Sequence, residues 1–359
     1  MLEWINRYED RAWQTTTDGT VRYALIGLGW WTLDVALPAI ESSDLGEVGV
    51  LVSSSHEKAE RLAREHGVDA GVDYDEFHEG AASEAYDAVY VGTPNAFHLE
   101  YAETAARLDK AVLCEKPMEA TVERAERLVE TCESAGVPLM IAYRMHTEPA
   151  VQRARELISD GFLGEPVSVY GHNSQPLLEM IPDPDQWRLD PDRAGYGTSV
   201  MDLGIYSINT ARYLLRREPR SVRSTMASEH EAFSDVPDQS ASSLFLLEGD
   251  VEMVTMSSQH AQDDTHLKIT GTEGQIDLRP AFHGECSLRL SRGDVSVTVE
   301  HGSFDAEREM REEFDYFADR LLGDGEIYPD GRHGLRDMAI IEAVHESAET
   351  GEEVDIDGI

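Results

Sequence analysis

Short apolar runs of strand length alternate, over the first 145 residues, with stretches in which apolar residues recur every three or four positions. Residues 21–26 form one such run, ending at Gly27. Leu33, Ala36, Leu37 and Ile40 follow at the spacing of a single buried helical stripe. Residues 48–52 read as a second strand, followed by a charged helix over about 57–66. Runs at 87–91, 111–114 and 138–142 continue the series, with helices over about 96–108 and from Thr121, whose first turn holds Glu123. Strand–helix units repeated in this order predict a parallel sheet covered on both faces.

Beyond residue 145 the pattern changes. A helix over about 148–159 leads into Pro- and Asp-rich connections, among them Ile181-Pro182-Asp183-Pro184-Asp185, and then into a helix over about 199–216. Strands are predicted at 221–228, 240–247, 251–257 and 266–270, and Gly271-Thr272-Glu273-Gly274 turns the chain into another at 275–278. Met310, Phe314, Phe317 and Leu321 mark one face of a helix, and a last helix covers about 335–347. Strands in succession without crossover helices favour an antiparallel or mixed sheet, so this half is α+β. Three segments result: an arm at 1–20, in which Trp4, Ile5, Tyr8 and Trp13 can form the apolar side of a short helix, an alternating α/β domain at 21–145, and an α+β domain at 146–359.

Composition narrows the setting. The 359 residues carry 70 acidic against 30 basic side chains, a net charge of −40 spread along the whole chain. Only four of the basic residues are lysines, at positions 58, 110, 116 and 268. Such self-repulsion is tolerable where salt shortens the Debye length to about 3 Å, so a halophile's cytoplasm is the expected setting. The same charge excludes nucleic acid as a partner. No run approaches the ~18 apolar residues of a membrane span, and the first residues lack the basic start and apolar core of a secretory leader. Cys114, Cys132 and Cys286 are odd in number and lack metal-ligand spacing, and the histidines form no ligand cluster, so neither a disulfide framework nor a metal is expected.

The candidate chemistry lies at strand ends. Gly27-x-Gly29-x-x-Thr32, with Trp30 and Trp31 inside it, joins the first strand to the first helix. There, backbone N–H groups and the helix end can meet a pyrophosphate. Thr32 stands where a third Gly or Ala is usual, which predicts a slightly wider helix–strand spacing. The second strand ends in Ser53-Ser54-Ser55-His56 rather than in the carboxylate that binds a ribose 2′-hydroxyl. Serine hydroxyls with Lys58 suit a 2′-phosphate, so the cofactor reads as NADP. Thr93, Pro94, Asn95 and His98 follow the next strand at the edge where ribose and nicotinamide would lie. Glu115-Lys116-Pro117 ends the 111–114 strand at the same edge. A lysine there, in a chain that otherwise avoids lysine, offers a compact charge that arginine cannot replace. Asp202 and Tyr206 are four apart and share a helix face. A tyrosine can take a hydroxyl proton if a nearby ammonium stabilises its phenolate.

These ordered motifs resemble the glucose–fructose oxidoreductase/inositol dehydrogenase (Gfo/Idh/MocA) family over nearly the whole chain. Its Glu-Lys-Pro corresponds to Glu115-Lys116-Pro117, its Asp-x-Gly-x-Tyr/His to Asp202 and Tyr206, its Tyr-Arg to Tyr143-Arg144, and its Gly-Thr-Glu-Gly turn to 271–274. The resemblance implies an N-terminal Rossmann domain and a C-terminal domain with a large, mostly antiparallel open sheet, often used in forming dimers or tetramers. It implies Glu115 and Arg144 at the cofactor. Gly29-Trp30-Trp31-Thr32, the 115–120 run, Ile141 to Glu148, and Pro182 to Asp190 with Trp187-Arg188 are closer still to the family's haloarchaeal NADP-dependent D-xylose dehydrogenases. Oxidation of an aldose at C1 to its lactone is then implied, with Tyr206 taking the proton, Lys116 orienting it, and Asp202 holding sugar hydroxyls. Trp187 and Tyr196 would line the sugar pocket, Tyr196 standing in Gly195-Tyr196-Gly197 where relatives carry glycines. The same residues suit another aldose, a polyol or a dihydrodiol, or an aldose–aldose oxidoreductase that retains its nucleotide. A nucleotide-sensing regulator would need neither Lys116 nor Tyr206.

Overall fold

The computed structural model describes residues 11–16, 18–300, 305–323 and 325–356. The chain forms two compact units, one of residues 11–144 with 306–335, the other of residues 145–305 with 336–359. A single linear boundary near residue 145 has no place for this return of the chain. Residues 1–10, with most of the arm's apolar positions, lie outside the described residues.

The first unit holds a parallel sheet of β1 (Val21–Ile26), β2 (Gly46–Ser53), β3 (Ala70–Asp73), β4 (Ala88–Val91), β5 (Ala111–Glu115) and β6 (Leu139–Ala142). Their order is β3-β2-β1-β4-β5-β6, so the strand order reverses between β1 and β4. Strand β3, a four-residue stretch with one buried position, carries no apolar run and leaves no sequence signal. Crossover helices His56–His66, His98–Arg107 and Val122–Ala135 start where expected, the first and last capped by Ser55 and Thr121. Helix Ala306–Leu322 returns to this sheet. Its Met310, Phe314 and Phe317 join Tyr23 and Tyr90 in the core, and the Tyr23 hydroxyl donates to the Phe314 carbonyl at 3.0 Å. The described part of the arm is tied to the same helix: Asp319 accepts from the backbone N–H groups of Thr15 and Thr16 at 2.6 and 2.7 Å.

The second unit is built on nine strands. They are β7 (Pro166–Pro176), β8 (Pro219–Ala227), β9 (Ser240–Leu247), β10 (Val251–Ser258), β11 (His260–Gly271), β12 (Gly274–Leu278), β13 (Ser287–Arg292), β14 (Val295–Glu300) and β15 (Val354–Asp355). The order is β14-β13-β12-β11-β7-β10-β9-β8-β15, antiparallel except where β7 and β10 run parallel. Strand β7 sits at the middle of the sheet, although its second half, His172-Asn173-Ser174-Gln175, is polar and reads as a connection. One face is covered by helix Ile205–Leu215, packed so closely that a Cβ on Gly171 would lie 2.6 Å from the Ser207 side chain. The other exposes a row in which Leu244, Val254 and Tyr170 are direct cross-strand partners.

Candidate active site

In the first unit the Gly-rich turn, the end of β2 and the end of β4 meet at the β1/β4 reversal, where open parallel sheets bind nucleotides. Gly27 donates its N–H to the Val52 carbonyl at 3.1 Å, and Gly92 donates to Ile26 at 2.9 Å. Gly27 has φ +90°, and a Cβ on it would lie within 2.9 Å of the Gly92 backbone and of Thr93, so only glycine fits. Thr32 sits against the end of the strand. Its hydroxyl donates to the Gly27 carbonyl at 2.6 Å, with room provided by the missing side chain of Gly92. A Cβ on Gly29 would meet nothing within 4 Å. This is the cradle a pyrophosphate needs, and the buried Thr93 hydroxyl beside it has no hydrogen-bond partner among the described residues. The donor set therefore fits a dinucleotide. Trp30 is exposed at the turn, and Asn95 is buried just after Pro94.

Lys58 reaches the same turn, its Nζ donating to the Leu28 carbonyl at 2.7 Å, while Ser53 is buried and Ser54 exposed at the end of β2. The serine–lysine pairing inferred for the 2′-phosphate thus flanks the Gly-rich turn. His56, Asp73 and Glu76 come together nearby, and hydrogen bonds account for the group: Asp73 and Glu76 form a reciprocal cap, and His56 Nδ1 meets Glu76 at 2.7 Å. His98 is fully buried, with its ring nitrogens against the carbonyls of Thr93 and Met118 at 2.9 and 3.2 Å. It ties together the loops after β4 and β5.

Glu115, at the end of β5, accepts from the Tyr90 hydroxyl at 2.7 Å and the Trp31 indole N–H at 3.2 Å through one oxygen. Its other oxygen accepts from the Lys116 backbone N–H at 3.2 Å, and the Lys116–Pro117 peptide is cis. Arg144 pairs with the buried Glu309, and its guanidinium lies over the Trp31 ring at 5.6 Å. Glu313 completes the cluster. Burial, and then the charge of Glu115, push its carboxyl well above the usual range against the opposing effect of Arg144. Glu309 and Glu313 have no signature in the sequence beyond two carboxylates on the core side of an amphipathic helix.

In the second unit Asp202 lies in the π-bonded segment Val200–Gly204 and Tyr206 in the helix that follows. The N–H groups of Thr198 and Val200 donate to the buried Asp238 at 2.6 and 2.7 Å, anchoring the start of this segment. Burial pushes the Asp238 carboxyl up to about 6, although these backbone bonds oppose the shift. Tyr206 is buried against the rings of Phe282 and His283, at 5.7 and 5.2 Å. Arg188 donates to Asp202 Oδ2 at 3.2 Å and lies over Trp187 at 4.5 Å, bringing the Trp187-Arg188 turn to the aspartate. Tyr196 is placed otherwise. Its hydroxyl donates to Glu342 at 2.6 Å and its ring packs on His345, on the last helix. His146 is buried, bonded to Asn209 at 2.8 Å and stacked on Tyr213 at 3.9 Å, a structural role.

The sequence profile of the oxidoreductase family with an NAD-binding Rossmann fold (GFO_IDH_MocA) matches residues 21–143, and that of the GFO/IDH/MocA C-terminal domain matches 151–277. The chain is 51% identical over 355 residues, 98% of each chain, to the D-xylose 1-dehydrogenase [NADP(+)] of Haloarcula marismortui. It is 30% identical to D-xylose 1-dehydrogenase (NADP(+)) 2 of Haloferax volcanii, over 93% of this chain and 99% of that one. Among solved structures, the aldose-aldose oxidoreductase from Caulobacter crescentus complexed with glycerol superposes with a TM-score of 0.87 at 29% identity, covering 94% of this chain and 99% of the other.

Proposed function

We propose, since this chain belongs to the Gfo/Idh/MocA oxidoreductase family, that it oxidises D-xylose, or an aldose of like size, at C1 to the aldonolactone with NADP⁺ as oxidant. The observation that carries this reading is the identity of half the residues, over almost the full length, to a relative named for that reaction. When bound, the nucleotide supplies the hydride acceptor. Ser53, Ser54 and Lys58 would hold its 2′-phosphate, Gly27 and Gly29 its pyrophosphate, and Thr93, Pro94, Asn95, Trp31, Glu115 and Arg144 its ribose and nicotinamide end. Tyr206 would take the C1 hydroxyl proton as the C1–H bond gives up its hydride and the carbonyl forms. Lys116 would orient that hydroxyl and stabilise the phenolate, and Asp202, beside Trp187, would accept from sugar hydroxyls.

The net charge of −40 supports a role in a salt-accumulating cytoplasm. The exposed Leu244–Val254–Tyr170 row supports self-association through the sheet face. Light scattering of a Val254→Arg variant checks this, since an unchanged mass would remove the row from the subunit contact. The functional test is initial-rate reduction of NADP⁺ and NAD⁺ in multimolar KCl with xylose, glucose, arabinose and ribose. NADP⁺ reduction fastest with xylose is expected. Tight NADP⁺ binding without reduction by any sugar would turn the assignment towards a polyol, a diol or nucleotide sensing.

A further inference from the structure

Asp202 is gripped from a second side by a residue that no motif marks. Gln259, between β10 and β11, is fully buried. Its main chain is pinned in both directions: the N–H donates to the Gln239 carbonyl at 2.9 Å, and the carbonyl accepts from the Leu177 N–H at 3.0 Å. Its side chain is pinned as well. Nε2 donates to Asp202 Oδ2 at 3.0 Å, and Oε1 accepts from Gln175 Nε2 at 2.8 Å. A carboxylate only accepts, so the amide must turn its NH₂ towards Asp202, and this sets its orientation. Oδ2 also takes the Arg188 Nε–H at 3.2 Å, so one oxygen of the aspartate is held by donors from two separate elements.

Burying the Gln259 amide costs free energy unless it is paired, and a hydrogen-bonded chain of this kind holds its members in one geometry. We infer that Gln259 is a positioning residue for sugar recognition, fixing with Arg188 the plane in which the Asp202 carboxylate meets a sugar hydroxyl. The inference rests on the role proposed above for Asp202. Gln175, at the end of the neighbouring parallel strand β7, is the outer anchor of the chain.

The test compares Gln259→Glu, Gln259→Leu and Asp202→Asn in steady-state kinetics with D-xylose from about pH 5 to pH 9, alongside NADP⁺ affinity by calorimetry. In the Gln259→Glu variant an ionised carboxylate would face Asp202, and a misaimed carboxylate is expected to raise the sugar KM by up to about 100-fold at high pH. The same variant should recover as pH falls, because a protonated acid can donate in place of the amide. Gln259→Leu should raise KM without that pH dependence, and NADP⁺ affinity should stay within about twofold in both. Losses in Gln259→Glu that equal those of Gln259→Leu at every pH would reduce the residue to packing and overturn the inference. Should either variant fail to fold, Gln175→Leu frees the Gln259 amide from outside and should raise KM by a smaller factor; an unchanged KM there refutes the chain. If Asp202→Asn leaves KM unchanged, the fault lies instead with the proposed role of Asp202.

Discussion

The two glycines of the first turn make opposite demands, which a pair of alanine substitutions separates. Gly27→Ala places a methyl 2.8–2.9 Å from Thr93 and the Gly92 backbone, at a φ of +90°. The left-handed backbone costs about 1–2 kcal/mol and the overpacking about 1–3 kcal/mol, so destabilisation of roughly 2–5 kcal/mol is expected before any ligand is added. Gly29→Ala meets nothing within 4 Å, and its backbone needs no positive φ. The folded protein should keep its thermal midpoint or gain the ~0.4–1 kcal/mol typical of a compatible Gly→Ala change. If that open space is where the pyrophosphate lies, the methyl intrudes on the ligand alone. An overpacking cost of about 1–3 kcal/mol then weakens NADP⁺ binding roughly 5- to 150-fold. Differential scanning calorimetry without nucleotide and isothermal titration with NADP⁺, both in matched KCl, read the two effects separately. A Gly29→Ala protein that binds NADP⁺ like the parent would refute the assignment of the cradle, and a Gly27→Ala protein of parental stability would refute the steric argument.

Further expectations concern the other proposed roles. Lys116→Ala should lower turnover by at least about 10²-fold while NADP⁺ binding is largely kept, and single-turnover rates with bound nucleotide check it. Ser53→Asp puts a carboxylate where a 2′-phosphate is proposed, so the ratio of NADP⁺ to NAD⁺ affinity should fall by at least about tenfold; a constant ratio removes Ser53 from that subsite. Asp238 supplies a pH signature. Its folded value of about 6 lies above the ordinary 3.8, so its contribution to stability is present at low pH and is lost as pH rises through about 6. Asp238→Asn abolishes this titration. The parent's stability relative to the variant should therefore drop by about 2 kcal/mol between about pH 4 and pH 7 in urea unfolding, and a pH-independent difference would show that Asp238 does not titrate as described.

By itself the sequence determined what is local. Apolar runs bounded by Gly27, Gly92 and Pro117 give the strands of the parallel sheet, and residues that follow a strand covalently must lie at its carboxyl end. That is why the Gly-rich turn, Ser53, Thr93 and Lys116 were legible as one edge, and why Asp202 and Tyr206 could be placed on one segment. Tertiary structure alone decided which distant parts of the chain meet. Gln259 reaches Asp202 across 57 positions of sequence with no periodic signal. Helix Ala306–Leu322 leaves the second half of the chain to bury Phe314 under β1 and to set Glu309 against Arg144. His98, legible only as a residue near the nicotinamide edge, turns inward, its ring nitrogens lying 2.9 and 3.2 Å from two backbone carbonyls brought together only by the fold. Strand β7 is polar over half its length yet central, since its neighbours on both sides provide the ladder that its own composition does not announce. Local pattern reports which face of an element seeks burial, and only the assembled chain shows which partner it finds.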